Sequence, residues 1–107
     1  MTVRSAQLFA RLLGSTSEVT LYTCPASTRT LLKGLTVHAT QTLDLNVSLV
    51  PTGFSTRVHV YRVITPSGRT NEQFELFVVM NAGDLLVAQS TIANALHLTG
   101  GGAELAL

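Results

Sequence analysis

The sequence has no tryptophan and one cysteine in 107 residues, and only 12% of it is charged. Each scarcity removes a class of protein. A lone thiol, Cys24, excludes an internal disulfide framework. No stretch approaches the ~20 apolar residues of a spanning helix, and the longest runs, such as Leu76 to Met80, are strand-sized. Met1-Thr2-Val3-Arg4-Ser5 lacks the apolar core of a signal peptide, so synthesis in a reducing cytoplasm is expected. The seven Lys and Arg are scattered, with a net charge of +1. Nucleic-acid binding by counterion release needs several cations on one face, so direct nucleic-acid contact is not expected. The charged share is about half the usual ~25%. With no membrane segment to explain it, an apolar surface hidden in an oligomer or assembly is the better account.

What is present is strand pattern. From Leu43 the apolar residues Leu43, Leu45, Val47 and Leu49 alternate with Asp44, Asn46 and Ser48, giving one oily and one wet face. Upstream, Glu18 to Thr23 reads as a strand ended by Pro25, which cannot donate to a ladder. Arg29 to Ala39 resumes with Lys33 spoiling a clean inner face. A register shift at Lys33-Gly34 would turn Leu32, Leu35 and Val37 inward together. Thr40-Gln41-Thr42 links it to the Leu43 to Val50 strand.

Residues 6–13 alternate like a strand and also carry a helical stripe. The Gly14-Ser15-Thr16-Ser17 turn favours a hairpin with the strand at 18–23. Residues 1–13 are thus either a first strand or an N-terminal arm reaching a neighbour. Pro51 to Ser55 is a loop, and Arg57 to Thr65 is a strand. The Pro66-Ser67-Gly68 turn then predicts an antiparallel hairpin with Thr70 to Met80. After a turn at Asn81 to Asp84 comes a strand at Leu85 to Ser90. Residues 91–98 fit a helical turn, a loop or a strand equally. Gly100-Gly101-Gly102 reads as a flexible connector before a last strand at Ala103 to Leu107. About eight short strands in one domain over 1–107 predict an all-β fold: a single antiparallel β-sandwich, jelly-roll-like.

Candidate chemistry is thin. Cys24 beside a histidine would need a cation or helix end to make a thiolate, and a small buried residue at a strand end is the plainer reading. His38, His59 and His97 lack the short ligand spacing of zinc sites, and His38 and His59 share a surface site only if their strands are neighbours. Glu75 and Asp44 form a glycosidase-like dyad only if they meet across a sheet face. The triple glycine lacks the lysine and helix of a phosphate loop. No catalytic, cofactor or metal residues are assigned. Phe54 and Tyr61 offer a small aromatic platform, a poor one without tryptophan.

The segments Leu21-Tyr22-Thr23-Cys24-Pro25-Ala26-Ser27-Thr28-Arg29-Thr30, Leu43 to Leu49, and Met80-Asn81-Ala82-Gly83-Asp84-Leu85-Leu86 carry a resemblance. The chain resembles small β-sandwich virion proteins of tailed bacteriophages, with Ser27 standing where the turn usually has glycine. That resemblance implies a non-enzymatic structural subunit in the virion, made in the host cytoplasm. It would dock as a homotrimer or higher oligomer on major capsid or tail proteins, with capsid decoration foremost. The alternative is a carbohydrate- or receptor-binding module of a phage fibre. Candidate interface residues are Asp44, Asn46, Ser48, Phe54, Arg57 and Tyr61. No cofactor and no membrane partner are expected.

Overall fold

The computed structural model describes residues 2–40, 43–53, 58–64 and 70–106. Eight strands follow in chain order: β1 (Thr2–Leu12), β2 (Val19–Thr23), β3 (Thr28–Ala39), β4 (Asp44–Val50), β5 (Val58–Ile64), β6 (Thr70–Met80), β7 (Leu85–Ser90) and β8 (Leu96–Ala106). They form two antiparallel sheets, β1-β8-β3-β6 (sheet A) and β2-β7-β4-β5 (sheet B). The pairs β1·β8, β2·β7, β3·β6 and β4·β5 are nested like one long hairpin. Rolling that hairpin up adds β3·β8 and β4·β7. This is the eight-stranded jelly roll.

The roll corrects two expected hairpins. β1 and β2 lie in different sheets, and so do β5 and β6. Among the described residues only β4 and β5 are both consecutive and paired. The other turns carry the chain from one sheet to the other, and turn chemistry is the same for either route. Residues 65–69, with the Pro66-Ser67-Gly68 turn, lie outside the described residues.

The core fills the space between the sheets. Sheet A contributes Phe9, Leu32, Leu35, Val37, Ala39, Leu96 and Leu98, while sheet B contributes Leu21, Leu45, Val47, Leu86 and Ala88. Each large apolar side chain buried there stabilises the fold by about 1.5–3 kcal/mol relative to exposure. The inward set on β3 switches phase as expected, because the register shifts between Leu32 and Gly34 against both neighbours. Phe9 and Leu13 are core residues and β1 pairs with β8 along its length, so this segment is built into the sandwich.

The triple glycine is no connector: it lies inside β8, the strand between β1 and β3. A Cβ at Gly100 would overlap the Phe9 ring, and one at Gly102 would overlap the carbonyl oxygen of Leu31. Close packing, rather than strand propensity, therefore selects glycine here. The register also slips between Gln7 and Phe9 on β1, so both neighbours of β8 are irregular beside the glycine run. Residues 91–95 form the turn entering β8, with Asn94 in the left-handed region at φ 60°.

Candidate functional site

Three of the expected interface residues lie on β4, an inner strand of sheet B. Asp44 and Asn46 are half-buried and flank the buried Leu45, so they share the outward face. The Asp44 amide donates to the Thr91 hydroxyl at 2.9 Å, and the Thr91 amide donates to the Asp44 carbonyl at 3.1 Å. Ser48 is only 5% exposed, opposite the buried Val87. The pairing with β5 shifts between Val47 and Ser48, but the extra residue is Val60 on β5, and β4 keeps unbroken register with β7. Ser48 therefore offers little surface for docking. Tyr61 is placed on β5 opposite Val47, its side chain outside the described set. Phe54 and Arg57 lie outside the described residues.

The weaker chemical candidates are separated by the fold. Asp44 belongs to sheet B and Glu75 to sheet A, so no carboxylate dyad forms between them. His38 and His59 are likewise in different sheets. His38 instead faces His97 across β3·β8, with ring centroids 6.4 Å apart. Two imidazoles fall short of the three protein ligands of a catalytic zinc site. Among the described residues no group of three or more His, Cys, Asp or Glu is placed to hold a metal. No helix among them is long and apolar enough to cross a membrane. Cys24 is buried, its Sγ 3.3 Å from the Thr30 hydroxyl and 3.6 Å from the Met80 carbonyl.

Two polar knots fasten the end of the sandwich where β2 turns into β3. In the first, the Tyr22 hydroxyl reaches from sheet B and donates to Glu104 Oε2 at 2.6 Å. Its oxygen lies 2.9 Å from the Thr30 hydroxyl, which is left to donate to it. Burial, then the bond to Glu104, pushes the Tyr22 phenol up from 10.0 to about 12. In the second knot Asp84 is buried in the β6–β7 turn. Its Oδ1 accepts from the amide and hydroxyl of Thr52 at 2.8 and 2.9 Å, and its Oδ2 accepts from the Asn81 amide at 3.0 Å. Burial raises the Asp84 carboxyl, but these donors more than reverse that and hold it below its ordinary value. The Cys24 amide donates to the Asp84 carbonyl at 2.9 Å and the Gly83 amide donates to the Cys24 carbonyl at 3.0 Å, so three loops meet at the Asp84 turn.

A groove of about 750 Å³ crosses the outer face of sheet A. Its floor follows a row through all four strands: Gln7 on β1, Gly101 on β8, Gly34 on β3 and Glu75 on β6. The two central members have no side chains, which leaves a trough. Lys33, Thr36, Gln73 and Thr99 complete its walls. The polar groups are exposed or half-buried and come from all four strands of the sheet.

With this geometry in view, likeness to solved structures bears on the fold. The core of Drosophila NLP, from a crystal structure described as giving insight into pentamer formation and histone binding, superposes with a TM-score of 0.58. The identity is 10%, over 98% of this chain and 99% of that one. An infectious bursal disease virus structure, Gx strain, gives a TM-score of 0.50 at 11% identity, over 96% of this chain and 31% of that one. A pentameric capsid protein from metagenomic phage sequences reaches 0.47 at 15%, over 95% of this chain and 59% of that one. At such identities the likeness is one of fold. No family model matches the chain. No curated protein matches it by sequence.

The groove was not visible in the sequence. Its residues come from four separated stretches, and the register between strands brings them together. The available signal was Gly34 in the middle of an otherwise apolar-patterned strand, which marked an irregularity without naming its partner. Gly101 gave none, since a glycine run ordinarily reads as a break.

Proposed function

We propose that this chain is a non-enzymatic structural subunit of a viral particle that works by associating with itself and with a particle surface. The observation that carries the reading is the complete jelly-roll order of two four-stranded sheets in a chain with only 12% charged residues. A small sandwich with so little charge has less to keep its outer faces wet, and an oligomer hides such faces. The finer reading is capsid decoration in a tailed bacteriophage, as a homotrimer or higher species docked on capsid or tail protein. Its support is the sequence resemblance along Leu21 to Leu49 and Met80 to Leu86. Synthesis in the host cytoplasm belongs to the same reading.

Asp44 and Asn46, outward on β4, are the proposed docking residues for the particle, with Phe54, Arg57 and Tyr61 completing the expected set. The histone binding named for the Drosophila protein is not carried over. A basic partner calls for a surplus of carboxylates, and this chain has six acids against seven bases. Size-exclusion chromatography with light scattering tests the proposal. Three or more copies per particle in solution, and co-sedimentation with empty capsids or tails, are expected. A stable monomer without affinity for either overturns it.

A further inference from the structure

Both faces of the glycine run in β8 leave room where side chains would stand, and the protein treats them differently. On the inner face the space over Gly100 is taken by the ring of Phe9. On the outer face the space over Gly101 and Gly34 forms the groove. Beside that groove, two residues along β6 from Glu75, Phe77 is 72% exposed. Val78 packs on the core, so its neighbours Phe77 and Val79 point outward on the groove's own face. Val79 is 43% exposed. An exposed phenyl ring and a glycine-floored trough thus stand side by side on one surface.

We propose that the outer face of sheet A is an isologous contact with a second copy of this chain, in which Phe77 of each copy seats in the other's glycine groove. This rests on the self-association reading above and assigns its surface. Four observations favour a second copy over another occupant. The packing of a phenyl ring on a β8 glycine already exists in this molecule, as Phe9 on Gly100. Ring and trough lie on one face, offset from each other, so a two-fold axis lying between two such faces sets each ring over the other's trough. The rim carries one charge of each sign, Lys33 and Glu75. The two cancel, so facing copies bring no net charge of one sign to the rim. The face is also large enough: three of its four strands have 11 residues and one has 12. At ~3.3 Å per residue and ~4.8 Å between strands this is about 700 Å². A standard interface takes ~600–1,000 Å² from each partner, and the face falls within that range. A two-fold contact makes pairs, so the assembly contains an even number of copies.

Sedimentation velocity of the full chain tests this, with Phe77→Ser, Gly101→Val and, as a control on sheet B, Val58→Ser (Val58 is 53% exposed). Phe77→Ser is expected to weaken association at least tenfold. Gly101→Val, which fills the trough, should do the same, and Val58→Ser should leave it unchanged. A photo-crosslinking phenylalanine analogue at position 77 keeps the proposal testable if Gly101→Val does not fold. In a mixture of isotopically light and heavy chains it should join light to heavy through peptides containing residues 34–36 or 99–102. A wild-type monomer removes both this contact and the self-association reading. An odd-numbered oligomer, an oligomer untouched by Phe77→Ser, or cross-links landing elsewhere or on a different protein removes this contact alone.

Discussion

Sheet A and sheet B enclose one core but are built to different lengths. The strands of sheet A have 11, 11, 12 and 11 residues in spatial order, and those of sheet B have 5, 6, 7 and 7. Sheet A is the longer, its inward side chains are buried from Thr30 to Ala39 on β3, and its irregularities cluster around the β8 glycines. The shorter sheet mainly seals the interior, whereas the longer one also presents a broad surface. Phe77, Val79 and the groove all lie on the longer sheet.

The largest way to break this contrast is Gly102→Ala. Its Cβ would overlap a main-chain oxygen on β3, which no change of rotamer relieves. Sheet A should part at β3·β8, at a cost above the ~1–3 kcal/mol of ordinary overpacking. Loss of a cooperative melting transition, read by circular dichroism, checks it. Asp84→Asn comes next, because an amide cannot accept from Thr52 and Asn81 as a carboxylate does. A loss of about 1.5–3 kcal/mol is expected from urea denaturation. Since folding lowers the Asp84 pKa, its contribution is present above the unfolded carboxyl value and fades as pH falls through and below it. Wild type and Asp84→Asn should therefore converge in stability on acidification.

Tyr22→Phe cuts a tie between the two sheets while leaving each one whole. A cost of about 0.5–1.5 kcal/mol is expected from chemical denaturation. Folding raises the phenol pKa, so its contribution is complete below pH 10 and is lost as pH rises from about 10 to about 12. A shallower alkaline limb in the Tyr22→Phe denaturation profile checks the sign. The smallest expected effect is a gain. Ser27 holds φ 54° in the β2–β3 turn, a region that glycine occupies without strain. Ser27→Gly should stabilise by up to ~1 kcal/mol, less whatever the looser unfolded chain takes back. A small upward shift in melting temperature checks it.

Strand positions were legible in the sequence because period-two alternation is local: Leu43 to Leu49 declares itself, and Pro25 ends β2. The slip at Lys33-Gly34 was legible too, because a lysine interrupting an apolar face demands some local adjustment. Partnership was not. Pro66-Ser67-Gly68 promised a hairpin, yet β5 and β6 belong to opposite sheets, and nothing within a turn states which sheet receives the next strand. The glycine run was misread because its reason for being in a strand, Phe9 and the Leu31 carbonyl, lies some 70 to 90 residues upstream. Among the expected interface residues, Asp44 and Asn46 follow the alternation outward, while Ser48, next in the same alternation, is buried opposite Val87.

The nested pairing has a consequence for how the chain comes to be folded. β8 follows the other seven strands in the chain, yet β1 and β3 both wait for it. Until residues 96–106 emerge, β1 has no partner in sheet A, and Phe9 and Leu32 lack the strand that lies between theirs. Among the described strands β4 and β5 are the consecutive pair, so their pairing closes the shortest loop, and the other pairs nest outside it. Contacts so distant in sequence place folding in the millisecond-to-second range of all-β domains. During that interval the unpaired edges are open to other nascent copies. A chain that assembles with itself must complete β8 before such meetings, or the same edges that build the roll will join molecules in the wrong order.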